Sequence, residues 1–329
     1  MAAATTAKDQ LPTVKHLYQN HTLDSLRWNS VALRDDDIVI ATSYKAGSTW
    51  MQGIVANLIF LGQESPAQFL EISPWIDLRI IPLDLVLGAL EQQTHRRFMK
   101  THLPLDGLRF DPRLKYVYVG RDARDVFMSF WNHYHNFTDA ALQIFNSVPG
   151  RVGPERPRCP DDIHELWYNW ITRGWFEWET EGYPWWSNLH NVQSWWDYHH
   201  LPNILFVHYA DLLADLAGEI RRVADFFEIE LPAAPSLQML RRCTLAEMRV
   251  AAAGHGIVNA VLSTLFTRGA DSFFYEGRNG RWRGILSQEE LALYDQAAER
   301  ELTSDCRQWL ENGRLGSALS KNSCWSLGR

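Results

Sequence analysis

Cysteine is scarce in this sequence, and what there is lies scattered: Cys159, Cys243, Cys306 and Cys324 are spread over 329 residues with no CxxC spacing. That argues against a zinc site or a disulfide framework and fits a reducing compartment. Basic charge is also short, with 32 Lys and Arg against 39 Asp and Glu, a formal net charge of -7. A general nucleic-acid binder needs a basic footprint, so that class is excluded, and any anion site must be a local concentration of basic groups. Long apolar runs are missing too. Ile54–Leu61 is interrupted by Asn57 and falls far short of a membrane span. The opening MAAATTAKDQ has no apolar segment of the signal-peptide kind. Together these features lead us to expect a soluble, cytoplasmic protein with no nucleic-acid or membrane partner. Internal repeats and low-complexity tracts are absent.

Apolar side chains are plentiful, at 46% of residues against 22% charged, so the chain can bury a large core. Fifteen Trp and 15 Phe are more than filler and point to aromatic pockets beside that core. Residues 1–12 read as a small, polar, frayed lead-in, and 13–329 as one domain. Proline and glycine crowd 139–162, which predicts an irregular loop insertion there.

Apolar runs at Asp37–Ser43, Arg97–Thr101, Lys115–Gly120 and Asn203–Tyr209 read as strands, each beside a turn or helical pattern. Helices are expected from Ser48 or Thr49, from about Asp125, and over Ala217–Phe227. Such alternation predicts an α/β fold, a central parallel sheet flanked by helices. Ligands of such folds bind at the carboxyl ends of the strands. The tract Trp167–Trp170 through Trp195-Trp196 reads as helix packing, and His199-His200 as surface.

Three segments carry the chemistry. In Thr42-Ser-Tyr-Lys-Ala-Gly-Ser-Thr-Trp50, a tight loop joins a strand to a helix, aiming free backbone N–H groups and the positive helix end at an anion. Gly47 permits close approach, Ser48 and Thr49 add hydroxyls, and Lys45 adds a cation. The loop is P-loop-like without being a standard P-loop, since Lys45 precedes Gly47 instead of following it. Lys100-Thr-His102-Leu-Pro104 places a histidine at a strand end, where it can serve as a general base near neutral pH. In Tyr118–Phe130, Arg121 leaves a strand end and Ser129 follows on the next helix, a pair able to hold a second phosphate. The bland alternative for this segment is that Arg124 and Asp125 simply pair at the helix start.

These segments, in this order and spacing along residues 37–282, resemble the soluble 3′-phosphoadenosine 5′-phosphosulfate (PAPS)-dependent sulfotransferases. Thr42–Trp50 is similar to that family's 5′-phosphosulfate loop, Lys100–Pro104 to its KTH-containing catalytic strand, and Lys115–Ser129 to its 3′-phosphate strand–turn–helix. The resemblance implies transfer of a sulfuryl group from PAPS, without a required metal, to a phenol or alcohol of a small acceptor. Lys45 would sit at the bridging oxygen, Lys100 at the sulfuryl group, and His102 would be the base. Ala46, Gly47, Ser48 and Thr49 would hold the 5′-phosphate, Arg121 and Ser129 the 3′-phosphate. Trp50, Tyr209 and Thr244 would lie along the nucleotide. Pro74-Trp-Ile76, Trp131–Tyr134 and Phe137 fall where the family lines its acceptor cavity, implying Trp75, Tyr134 and Phe137 as acceptor contacts.

The chain departs from the family pattern twice. Tyr275-Glu-Gly277 stands where an Arg-Lys-Gly triplet is usual, so Arg278 or Arg281 is expected to supply the missing cation beside Gly277. The family's dimerisation pattern is broken in Arg283–Ala292, which leaves oligomeric state open. The alternatives are a P-loop-type nucleotide kinase and a catalytically impaired nucleotide-binding protein on the same fold.

Overall fold

The computed structural model describes residues 10–61, 72–231 and 237–323, so residues 1–9 of the expected lead-in, and Cys324, lie outside it. Four parallel strands form the centre: β1 (Ile38–Thr42), β2 (Phe98–Thr101), β3 (Lys115–Gly120) and β4 (Ile204–His208), in the spatial order β2-β1-β3-β4. Ile38 aligns with Phe98 on one side and Lys115 on the other, and Tyr116 with Ile204. At the strands' entry end, Arg97 Nε donates to Asp37 Oδ1 at 2.8 Å in a buried ion pair that pins β2 to β1.

Side chains alternate across the sheet and build two separate cores. Val39, Ala41, Tyr116 and Tyr118 face one way, towards α3 (Ala123–His135), α5 (Ile163–Thr172), α6 (Leu189–Trp196) and α13 (Gln288–Glu301). Here Trp167, Trp170 and Trp195 are fully buried, as the helix-packing reading requires, while His199 and His200 are exposed. Ile38, Ile40, Val117 and Val119 face the other way, onto α1 (Ser48–Ile59) and α8 (Leu216–Phe226). Beyond them on that face lie α9 (Leu237–Arg242), α10 (Leu245–Gly254) and α11 (Gly256–Leu265). The remaining helices are α2 (Leu83–Gln92), α4 (Asp139–Asn146), α7 (Tyr209–Ala214), α12 (Ala270–Phe273) and α14 (Ser304–Ser323).

The insertion differs from its expected irregular course. Asp139–Asn146 is helical, because Thr138 caps it through Ala141 N and its Ala141 and Phe145 turn inward; the irregular chain is confined to the Pro/Gly-rich remainder. Because β1 sits between β2 and β3, the chain leaves β1 on one side of the sheet and returns on the other. The crevice at the carboxyl ends of β1 and β3 is thereby left open, as expected of a strand order that switches direction.

Candidate active site

That crevice holds a cleft of ≈ 980 Å³, mouth included, lined among others by Lys45, Gly47, Ser48, Thr49, Trp50, Trp75, Lys100, His102, Arg121, Ser129 and Tyr209. All three segments singled out in the sequence therefore meet at one place. The loop after β1 is bent hard: Lys45 has φ 60° and Gly47 has φ 115°. A Cβ on Gly47 would also stand 2.9 Å from the Tyr209 ring, so only glycine fits there. Gly47 caps α1 without any side-chain hydrogen bond, leaving the first N–H groups of the helix free to meet an anion. Ala46 is buried beneath the loop and is not among the residues lining the cleft.

Cations converge on this cleft. Lys45 Nζ donates to His133 Nδ1 at 3.1 Å, and burial, then Lys100 and Arg121, pull its pKa down to about 7. Burial likewise lowers Lys100 to about 8, with its ammonium 4.5 Å above the Trp75 ring. Arg121 is only 5% exposed and donates to Asn279 Oδ1 at 3.0 Å and to the Arg278 carbonyl at 2.9 Å, with the Tyr209 ring 4.1 Å below. Among the described residues none of the three makes an ion pair. Unpaired buried cations cost several kcal/mol each in principle. A polyanion fits this donor set: phosphate and sulfuryl oxygens would supply the missing counter-charge.

His102 sits at the end of β2. Its Nδ1 lies 2.9 Å from both the carbonyl and the hydroxyl oxygen of Thr42. A carbonyl can only accept, so Nδ1 carries the proton and Nε2 is the basic nitrogen. Burial, then Lys100, keeps the ring neutral by holding its pKa well below the usual histidine value. Buried Asp77 orders this corner, taking hydrogen bonds from the His102 N–H at 3.2 Å, Trp75 Nε1 at 2.6 Å and Trp28 Nε1 at 3.2 Å. The segment carrying Trp75 runs beside β2, with Ile76 N donating to the Lys100 carbonyl and Lys100 N to that of Pro74.

The departures from the family pattern resolve physically. Glu276 lines the cleft but is held by both Arg278 and Arg281. Arg281 lines the cleft with its side chain 13% exposed, whereas Arg278 points outward at 71%. Of the two candidate cations, Arg281 is the one at the site. Asp125 does not pair with Arg124, which binds Asp122 instead. Its carboxylate accepts from Gly280 N and Arg281 N, tying the Arg281 loop to α3. Gly277 has φ 66°, and a Cβ there would stand 2.3 Å from Leu245 Cδ2.

Three other expected contacts lie away from the cleft lining. Thr244 does not line the cleft: it caps α10, accepting from Glu247 N, and donates to the Arg241 carbonyl. Tyr134 and Phe137 lie behind the wall, where the Tyr134 hydroxyl binds the Pro157 carbonyl and Phe137 packs on Phe266. Of the three expected acceptor contacts only Trp75 faces the cleft. The wall is instead completed by Tyr44, His133, Trp185, Phe273 and Phe274. His133 had a signal, since it lies one turn beyond Ser129 on α3. Trp185 had none, because it enters from a loop remote in sequence.

A family model described as the sulfotransferase domain matches residues 35–307. A glycolipid sulfotransferase of Mycobacterium bovis is 32% identical over 318 residues, covering 92% of this chain and 96% of that one. Among solved structures, mouse sulfotransferase SULT7A1 complexed with PAP superposes with a TM-score of 0.62 at 17% identity, covering 91% and 93%. Retinol dehydratase in complex with androsterone and PAP gives 0.62 at 21%, covering 85% and 84%.

Proposed function

The chain belongs to the sulfotransferase domain family, and on that premise we propose that it moves a sulfuryl group from PAPS to a hydroxyl of an acceptor with an apolar body. One observation carries the reading: Lys45, Lys100 and Arg121 are buried at a single cleft, and among the described residues none of them is held in an ion pair. The family also decides against the P-loop kinase alternative.

PAPS, when bound, supplies an activated sulfuryl group on a bisphosphate leaving group. The chain's own residues bind, orient and move the proton. Gly47, Ser48 and Thr49 hold the 5′-phosphate at the start of α1, while Arg121, Ser129 and Arg281 hold the 3′-phosphate. Trp50, edge-on to Tyr209 at 5.1 Å, would lie with it along the nucleotide. Lys45 offsets the negative charge that grows on the departing oxygen, and such a contact strengthens towards the transition state. Lys100, fixed over Trp75, sits at the transferring group. His102 Nε2 takes the acceptor proton as the hydroxyl attacks. Tyr44, Trp75, Trp185, Phe273 and Phe274 form an aromatic wall suited to the acceptor's apolar body. The mycobacterial relative's glycolipid acceptor supports that choice. Unpaired Cys159, Cys243 and Cys306 support a reducing, cytoplasmic setting.

Radiolabelled sulfate transfer from PAPS, screened across phenols, steroids, aliphatic alcohols, amines and glycosides, tests the reading. Label should appear on hydroxyl acceptors. Failure to label any of them, or no calorimetric binding of adenosine 3′,5′-bisphosphate, overturns it.

A further inference from the structure

The outer side of α10 and α11 combines exposed aliphatic side chains with a charge-free stretch of sequence. Val250, Ile257 and Val261 are 67%, 68% and 50% exposed. On α11, Ile257, Val261 and Thr264 repeat at helical spacing on the outside, while Val258 and Leu262 repeat on the inside and are buried. From Val250 to Thr267 the sequence has no Lys, Arg, Asp or Glu. Solvent-facing helices normally carry charges, and a run of exposed aliphatic side chains marks a contact surface.

The surroundings of the patch have a sign. Residues 237–268 hold four arginines against Glu247, a formal +3, while the remainder of a chain whose total is -7 carries -10. Arg249 is turned inward to the Tyr275 carbonyl, but Arg241 and Arg268 are exposed at either end of the apolar stretch. On the inner side of α10, Leu245 and Met248 line the cleft. The patch is therefore the back of one cleft wall.

We propose that the outer face of α10 and α11 docks on an anionic lipid surface, holding the cleft beside membrane-borne acceptors. Exposed aliphatics flanked by arginines are the composition of an interfacial helix, where apolar burial and attraction to acidic headgroups add. No helix among the described residues is long and apolar enough to cross a membrane, so the contact is peripheral. A second copy suits the face less well. A two-fold pairing would set arginines near arginines, and the face offers no large aromatic anchor. The inference modifies the expectation of no membrane partner, and it deepens the proposed function, resting on that reading for the nature of the acceptor.

Vesicle co-sedimentation of the full chain tests it without any turnover. The protein should bind vesicles containing about one-third phosphatidylglycerol and not phosphatidylcholine alone, with binding falling as salt rises. Ile257→Asp with Val261→Asp, and separately Arg241→Gln with Arg268→Gln, should each lower partitioning about tenfold or more. Thermal unfolding and transfer to a dissolved phenol should stay unchanged. The proposal is overturned by equal partitioning of both double variants, by no binding at low salt, or by a wild-type dimer that Ile257→Asp with Val261→Asp dissociates. A wild-type chain that transfers sulfate but does not bind these vesicles would sink this proposal alone; one that binds them but transfers nothing would sink only the catalytic reading.

Discussion

The floor of the cleft and the loop behind its wall both bury ionisable groups, and they handle them in opposite ways. On the floor, Lys45, Lys100 and Arg121 have only neutral partners at hydrogen-bond distance among the described residues, His133, a carbonyl and an amide among them, and ammonium donors are left over. Behind the wall, Glu179 takes N–H groups from Ser187, Trp175 and Phe176. Glu181 takes those of Leu189 and Asn188 and the Ser187 hydroxyl. Burial pushes these two carboxyls up to about 8 and about 7. They have no ion pair among the described residues, yet their hydrogen bonds are complete, and they fix the turn that delivers Trp185 to the cleft. Buried ionisable groups with their bonds filled position a loop; buried cations with donors to spare meet a ligand.

The strongest way to test that division is at His102, the neutral base at the end of β2. His102→Ala should lower turnover by about 10²–10⁴ while leaving nucleotide affinity nearly intact. In the free enzyme His102 titrates well below the usual histidine range, so the acid limb of kcat/KM should lie well under pH 6.5. Turnover like that of the wild type would remove His102 from the mechanism.

A second test sets the two kinds of buried charge against each other by pH. Lys45 has a pKa of about 7 in the free protein, and a bound anion raises it. Binding adenosine 3′,5′-bisphosphate above pH 7 should therefore take up a proton, and affinity should fall with rising pH by as much as about tenfold per unit. Calorimetry in buffers of different ionisation enthalpy measures the uptake, which Lys45→Met should reduce to the share due to Lys100, whose pKa is about 8. The wall carboxyls act on folding instead. Their folded values lie above the ordinary 4.5, so the folded chain holds more protons than the unfolded one, and stability declines as pH rises from about 4.5 to about 8. Glu179→Gln should flatten that decline in thermal melts and leave proton uptake untouched. Uptake that Lys45→Met leaves undiminished but that disappears with Glu179→Gln would reverse the assignment.

The same division explains what was legible in the sequence. Lys45, Gly47, Lys100, His102 and Arg121 could be read because each chemical task demands a residue type at a fixed offset from a strand end, and each strand announces itself by its apolar run. The four strands fell within a residue of their expected limits for that reason. The wall imposes only shape and apolarity, which any of the many aromatics can meet. Trp185 reaches the cleft because Glu179 and Glu181 gather backbone N–H groups across a loop, a long-range arrangement with no short-range signature. Tyr134 and Phe137 have the right composition but face away: the α3 turn that presents Ser129 and His133 points Tyr134 behind the wall, and Phe137, past the end of α3, packs on Phe266.

The Arg281 loop belongs to the floor if the geometry decides, although its sequence breaks the family pattern. Arg281→Ala should weaken adenosine 3′,5′-bisphosphate binding about tenfold or more, while Arg278→Ala, whose side chain faces solvent, should change it less than about twofold. Unchanged binding when both are replaced would take this loop out of phosphate recognition.

Thr244 gives the finest discrimination, because its position in the resemblance and its position in space disagree. Its hydroxyl is already engaged, accepting from Glu247 N and donating to the Arg241 carbonyl, so it has architectural duties of the wall's kind. Thr244→Ala should then cost about 1 kcal/mol of stability through the lost cap, visible as a small drop in Tm, with nucleotide affinity within experimental scatter. The converse result, intact stability with affinity down tenfold, would mean that the start of α10 turns its hydroxyl into the cleft when nucleotide is bound. Filled hydrogen bonds in the free protein would then no longer separate architecture from function at this border.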